Sequence, residues 1–115
     1  MSRLSNPFEY HQLSNGLQVL LWHDKNLPLV TSLLSYKVGS VNEVPGFTGA
    51  SHFLEHMLFK GSKKFGKGEI DRLTQSCGGD NNAFTWLDAT SYYFSLPAAH
   101  WELALEIEVD RMQHA

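Results

Sequence analysis

The sequence predicts an α+β fold in the order β-β-β-α-α-β-β-α, a sheet of about five strands with helices on one face. Three observations predict it. An Asn15-Gly16 dipeptide separates two apolar-rich arms near the N-terminus. Apolar residues recur at helical spacing over 50–58, 70–77 and 101–112. Between the second and third of those stretches lie two runs dominated by Thr, Trp, Tyr and Phe, the residues that strands prefer.

Residues 9–14 and 17–23 form the first hairpin. Asn15-Gly16 supplies the two positive-φ positions of a type I′ turn. The second arm, Leu17 to Trp22, is apolar on both faces and predicts a central strand. After a loop over 24–28, Val30, Ser32, Leu34, Tyr36 and Val38 alternate with mostly smaller or polar neighbours, giving a third strand that Gly39-Ser40 ends. A polar loop, 41–47, leads to a helix capped by Thr48 or Ser51. Its core face is expected from Ala50, Phe53/Leu54 and Met57/Leu58, with Gly61 as its stop. Ile70, Leu73 and Cys77 mark a second helix closed by Gly78-Gly79. Residues 80–87 and 89–96 read as two strands around a turn near Asp88. Pro97 fits the first turn of a last helix, where Trp101, Leu105, Val109 and Met112 make the expected core stripe and Glu102, Glu106 and Asp110 a solvated outer face.

Composition narrows the function classes. With 43% hydrophobic and 18% charged residues, the chain is of the soluble globular type, and 115 residues make one small domain or part of a larger one. The net charge is −3, and the densest basic cluster, four lysines over 60–67, is spread along a Gly-containing loop. That is a solvated loop rather than a nucleic-acid footprint. A single cysteine excludes an intrachain disulfide. No stretch reaches the roughly 20 apolar residues of a membrane span, and residues 1–8 lack the apolar run of a signal peptide. The compartment stays open.

The chemistry concentrates in His52-Phe53-Leu54-Glu55-His56. On an α-helix, residues four apart lie about 40° apart around the axis, so both imidazoles can turn to one point with Glu55 beside them. Neutral imidazole is a good zinc ligand, and a carboxylate next to a zinc-bound water can take its proton. The pattern is the inverted zincin motif, H-x-x-E-H. The two histidines are expected at one edge of a buried helix, partly desolvated.

Gly39-Ser40, Glu43, Gly49 and the run from His52 to Gly61 together resemble the active-site region of the pitrilysin/insulinase family, in its processing-peptidase-like bacterial branch. Asn82-Ala83-Phe84-Thr85 followed by Thr90, Tyr92 and Tyr93 is a second match, and Asp110-Arg111-Met112 a weaker third. The resemblance implies a zinc-dependent metalloendopeptidase, with Zn2+ held by His52 and His56 and Glu55 as general base toward the zinc-activated water. It also implies that Asn82, Ala83, Phe84 and Thr85 form an edge strand to which a peptide or protein substrate adds as a further strand. The family's third ligand is a Glu some seventy to eighty residues after the second His, beyond residue 115, and none of Glu102, Glu106 or Glu108 matches it. Residues 1–115 are therefore expected to be the N-terminal part of one larger metallopeptidase domain, inactive as an isolated piece. A second domain or partner subunit would close over the site, and the piece alone would tend to self-associate. The competing readings are a non-catalytic family subunit, and a scaffold or peptide-binding module using the edge strand.

Overall fold

The computed structural model describes residues 8–115; residues 1–7, most of the stretch read above as lacking an apolar run, lie outside the described residues. Five strands and three helices follow in the anticipated order: β1 (Phe8–Gln12), β2 (Gln18–Trp22), β3 (Leu29–Tyr36), α1 (Ala50–Met57), α2 (Glu69–Ser76), β4 (Asp80–Thr85), β5 (Thr90–Pro97) and α3 (Glu102–His114). The strands do not share one sheet. β1 and β2 pair as a two-stranded antiparallel ribbon, while β3, β5 and β4 form a second antiparallel sheet with β5 in the middle.

The ribbon departs from the sequence-based expectation twice. Leu13 N–H donates to the Leu17 carbonyl and Gly16 N–H to the Leu13 carbonyl, both at 2.9 Å, which closes a loop over Ser14, Asn15 and Gly16. Among the described residues only glycines have positive φ, so Asn15 does not take the conformation a type I′ turn demands. Its Oδ1 instead accepts the Leu17 N–H at 3.0 Å, and the φ of 89° at Gly16 supplies the single left-handed residue that a three-residue hairpin loop needs. β2, expected to be central, pairs only with β1 among the described residues. Leu20 and Trp22 remain 67% and 65% exposed. A strand apolar on both faces is buried only where both faces are covered, and here neither is. The ribbon also stretches the molecule: its radius of gyration is 16.2 Å, against about 13 Å for a compact chain of this length.

The three-stranded sheet behaves as the alternation predicts. Even positions of β3 turn inward and odd ones outward. The register sets Leu34 opposite Tyr92 and Ser32 opposite Phe94 on one neighbour, and Ala83 and Asn81 opposite the same two residues on the other. One face therefore carries Tyr92, Phe94 and Leu96, all buried. The helices lie over this face. The core consists of Phe65, Ile70, Phe94, Leu96, Ala104 and Ile107, with Leu73 and Leu103 packed against it.

α2 ends as its glycines suggest: Gly78 N–H donates to the Gln75 carbonyl and Gly79 N–H to that of Thr74, each at 2.9 Å. These are the two bonds of a Schellman cap. α3 is turned from its expected orientation by about 100° around its axis. Its buried stripe is Ala104, Ile107, Glu108 and Arg111, while Trp101, Leu105, Val109 and Met112 stay exposed. Both stripes satisfy helical spacing, and the one that wins carries an ion pair. Arg111 Nε and Nη2 donate to the two Glu108 oxygens at 3.0 and 2.5 Å. The guanidinium carbon lies 4.5 Å from the Tyr92 ring centre, 5.2 Å from Phe59 and 5.4 Å from Phe94. Burial in this cluster pushes the Tyr92 hydroxyl up to about 12. On the outer face, Asp110 accepts from Ser62 Oγ and from Lys64 N–H, which fastens the lysine loop to α3. Those two donors, the Ser62 hydroxyl first, hold the Asp110 carboxyl below its ordinary value.

Candidate metal centre

α1 starts without the Ser or Thr cap expected of it. Gly49 occupies the cap position, and no cap side chain bonds the first turn. Glu43 does so from the preceding loop: its Oε2 accepts Gly49 N–H at 2.7 Å and its Oε1 accepts Ser51 N–H at 2.9 Å. A carboxylate there satisfies two orphan donors and faces the positive end of the helix. The Gly49 and Ser51 N–H groups hold the Glu43 carboxyl below the ordinary value. The helix ends at Met57, several residues before Gly61.

The burial of α1 inverts the expected pattern. Phe53, Leu54 and Met57 are exposed, and the one buried residue of the helix is Glu55, 7% accessible. Ser51, Leu58 and Phe59, on the same side, are half-buried. β4 explains the inversion, because it meets the helix with a polar partner: Thr85 Oγ1 donates to Glu55 Oε2. A buried carboxylate needs such a donor, since desolvation without a hydrogen bond costs several kcal/mol.

His52 and His56 lie on the flank of α1. Both are exposed rather than partly desolvated, and their Nε2 atoms face each other at 2.9 Å. One ligand atom from each of His52, Glu55 and His56 falls within 4.8 Å of the others, and this is the one such cluster among the described residues. Two imidazoles bound tetrahedrally to zinc at about 2.0–2.1 Å have nitrogens roughly 3.3 Å apart. A small rotation of the two rings meets that distance, so the donor set fits a zinc ion. α3 adds no ligand: Glu108 is buried against Arg111, and Glu106 pairs at 3.5 Å with Lys64 on the outer face.

The segment 82–85 lies beside this cluster, on the edge strand β4. Trp86 N–H donates to the Ala89 carbonyl at 2.8 Å. By the two-residue alternation of an antiparallel ladder, Asn82 and Phe84 then bond to β5, and Asn81, Ala83 and Thr85 turn their main-chain groups to the open edge. Asn82 Oδ1 accepts the Ala83 N–H at 2.8 Å. The edge closes just past Thr85, where Ser40 N–H and Val41 N–H donate to the Trp86 and Leu87 carbonyls at 3.1 and 2.9 Å. That approach requires Gly39, because a Cβ there would lie 2.3 Å from the Trp86 carbonyl oxygen. Clefts open on both sides of the cluster. One of about 590 Å³ is walled by Gly49, His52, Thr85, Trp86 and Leu87. The other, of about 330 Å³, has Glu55, His56, Lys60, Asp71, Asn81 and Asn82.

The profile of the family described as Insulinase (Peptidase family M16) matches residues 18–115. The chain belongs to the insulinase family of peptidases. Human insulin-degrading enzyme is 40% identical over 96 residues, 83% of this chain and 9% of that protein. The zinc protease PqqE of Helicobacter pylori is 39% identical over 101 residues, 87% of this chain and 23% of that one. An uncharacterized zinc protease of Rickettsia bellii is 40% identical over 115 residues, covering 97% of this chain and 27% of its own length. The crystal structure of a protease from Helicobacter pylori superposes with a TM-score of 0.87 at 37% identity, over 93% of this chain and 26% of that one. The chain thus spans between about a tenth and a quarter of the length of these relatives. The insulinase family includes proteins named as zinc proteases, in keeping with the His-Glu-His cluster of α1. Among the described residues no helix is long and apolar enough to cross a membrane.

Two features around this cluster are not legible in the sequence. The capping role of Glu43 spans six to eight residues, too far for the local signals that identify a helix start. The Thr85–Glu55 contact joins residues thirty apart, and no periodicity reports it.

Proposed function

We propose that this chain forms the metal-binding part of a zinc-dependent metalloendopeptidase, with His52 and His56 as ligands and Glu55 as general base. The supporting observation is the convergence of the two imidazole nitrogens, 2.9 Å apart, beside a buried carboxylate. Zinc bound there would polarise the scissile carbonyl and acidify a water. Glu55 takes the proton of the attacking water and delivers it to the departing amine. An extended peptide lies along Asn82 to Thr85 as an added strand. It exchanges hydrogen bonds with Ala83 and Thr85, after the Asn82 side chain has swung away from the Ala83 N–H. Main-chain pairing of this kind reads few side chains and gives broad specificity.

A hydrolytic zinc site uses three protein ligands, and the cluster supplies two imidazoles. In this reading residues 1–115 are the N-terminal part of a larger peptidase domain, and a carboxylate outside the described cluster completes the shell. A second domain or partner subunit closes over the cleft. The bared apolar side chains of α1, α3 and the ribbon are the surface such a partner would cover, and in its absence the piece self-associates.

The test uses the parent protein. Glu55→Gln should retain zinc by elemental analysis and lose cleavage about a hundred- to ten-thousandfold. Near wild-type cleavage would remove Glu55 from the role of base. His52→Ala and His56→Ala should each lose zinc; full metal retention in both would move the site elsewhere. By calorimetry the isolated 115-residue piece should bind zinc weakly, and tight stoichiometric binding would mean that it holds its own third ligand.

A further inference from the structure

A general base works from one position, and a glutamate has a long, freely rotating side chain. Fixing such a side chain costs rotamer freedom, so something must hold it. The group in contact with the Glu55 carboxylate is the Thr85 hydroxyl, which donates to Oε2. That hydroxyl is itself closely held. Thr85 pairs with Thr90 in the ladder, and Thr90 Oγ1 donates to the Val38 carbonyl at 2.9 Å. On the other side, the carbonyl of the next residue, Trp86, accepts from Ser40 N–H. Bonds from three segments therefore hold the residue opposite Thr85 and the residue after it, and a β-branched side chain between such anchors has few rotamers.

We infer that Thr85 is a positioning residue for Glu55: its hydroxyl pins Oε2, so that Oε1 is the oxygen presented to the attacking water. Thr85 keeps its own proton throughout; only Oε1 gains and gives up one. The inference rests on the reading of Glu55 as general base and deepens it. It also makes the substrate strand and the base one mechanical unit, because the residue that pins the carboxylate lies on the open edge of β4.

Three variants of the zinc-loaded parent enzyme test this. Thr85→Val keeps the shape and removes the donor. It should lower kcat about ten- to a hundredfold, the usual effect of losing a supporting hydrogen bond, with KM within about twofold and zinc content unchanged. Thr85→Ser restores the hydroxyl and should recover kcat to within about threefold. Thr85→Ala serves in place of Thr85→Val if the latter does not fold. Independently of turnover, crystals of metal-free Thr85→Val should show the Glu55 carboxylate in a different or split rotamer. Wild-type kcat in Thr85→Val, an unmoved Glu55, or a loss confined to KM would each overturn the inference. Glu55→Gln separates the two levels. If that variant stays active, the reading of Glu55 as general base falls and the role of Thr85 with it, whereas an inactive Glu55→Gln beside an active Thr85→Val removes only the role of Thr85.

Discussion

Replacing Arg111 with Met should destabilise the fold by about 3–5 kcal/mol, the cost of stranding a buried carboxylate. Arg111 and Glu108 are 2% and 5% exposed, so Glu108 would have no water to turn to once its two donors are gone. Two smaller effects oppose each other. The variant also forfeits the cation–π contacts with Tyr92, Phe59 and Phe94, worth about 0.5–2 kcal/mol when desolvated. It is relieved of Nη1, the one buried side-chain polar atom among the described residues without a hydrogen-bond partner, whose burial costs roughly 1–3 kcal/mol. These nearly cancel, so the stranded carboxylate sets the magnitude.

The double variant Arg111→Met/Glu108→Leu removes both charges and leaves apolar groups of similar size. It should recover most of the loss and can exceed the wild type, since a buried ion pair is often no better than the hydrophobic pair replacing it. Urea or guanidinium melts of the four members of the cycle give the coupling directly. A loss under about 1 kcal/mol for Arg111→Met would refute the claim that Glu108 depends on this partner. A double variant no better than either single would refute the account of why α3 buries this stripe.

Two further outcomes follow from the junctions around α1. Glu43→Gln removes the charge that caps the helix. Because the folded-state pKa of Glu43 is depressed, its contribution is present above the ordinary carboxylate range and is lost as pH falls through the folded value. The thermal midpoints of variant and wild type should therefore differ at neutral pH and converge under acid; a difference that persisted below the folded value would remove the capping charge as its cause. Gly39→Ala should cost about 1–3 kcal/mol or more, as other overpacked sites do. Its Cβ would lie 2.6 Å from the Leu87 carbonyl carbon as well as against the Trp86 oxygen, and both atoms are main chain. An unchanged melting temperature would mean that the junction between 39–41 and 86–87 is looser than its hydrogen bonds indicate.

What was legible in the sequence was whatever a few neighbouring residues decide. The ribbon, α2 with its double-glycine stop, and the hairpin of β4 and β5 all rest on signals within a turn or two. The His52–His56 cluster is equally local, since one helix turn brings its three side chains together. The sequence leaves the outcome open where two patterns fit equally well and a distant contact chooses between them. On α3, the Trp101 and Ala104 stripes both have helical spacing, and aromatic rings of β5 and of Phe59 select the one containing Arg111. The ribbon is the exception, because there both choices are local: Asn15 can take positive φ or bond through its side chain, and its Oδ1 accepts the Leu17 N–H.

α1 departs furthest from the sequence pattern, and for the most informative reason. A pattern reading places apolar residues inward, yet this helix buries Glu55 and leaves Phe53 67% exposed. Hydrophobic burial alone would rotate it the other way. Hydrogen bonds at both ends of the contact hold it: Glu43 fixes the first turn, and Thr85 meets the carboxylate on the second. The two Glu43 bonds come from the loop before the helix and the Thr85 bond from a strand thirty residues on, so the orientation is a tertiary property that no local period encodes. The same rotation aims His52 and His56 into the space between the two clefts. An α1 turned to bury Phe53 and Met57 would carry the same five-residue motif with its carboxylate in solvent and its imidazoles away from β4. In the proposed function the motif supplies the ligands, and the buried Glu55–Thr85 contact turns them toward the strand along which a peptide would lie.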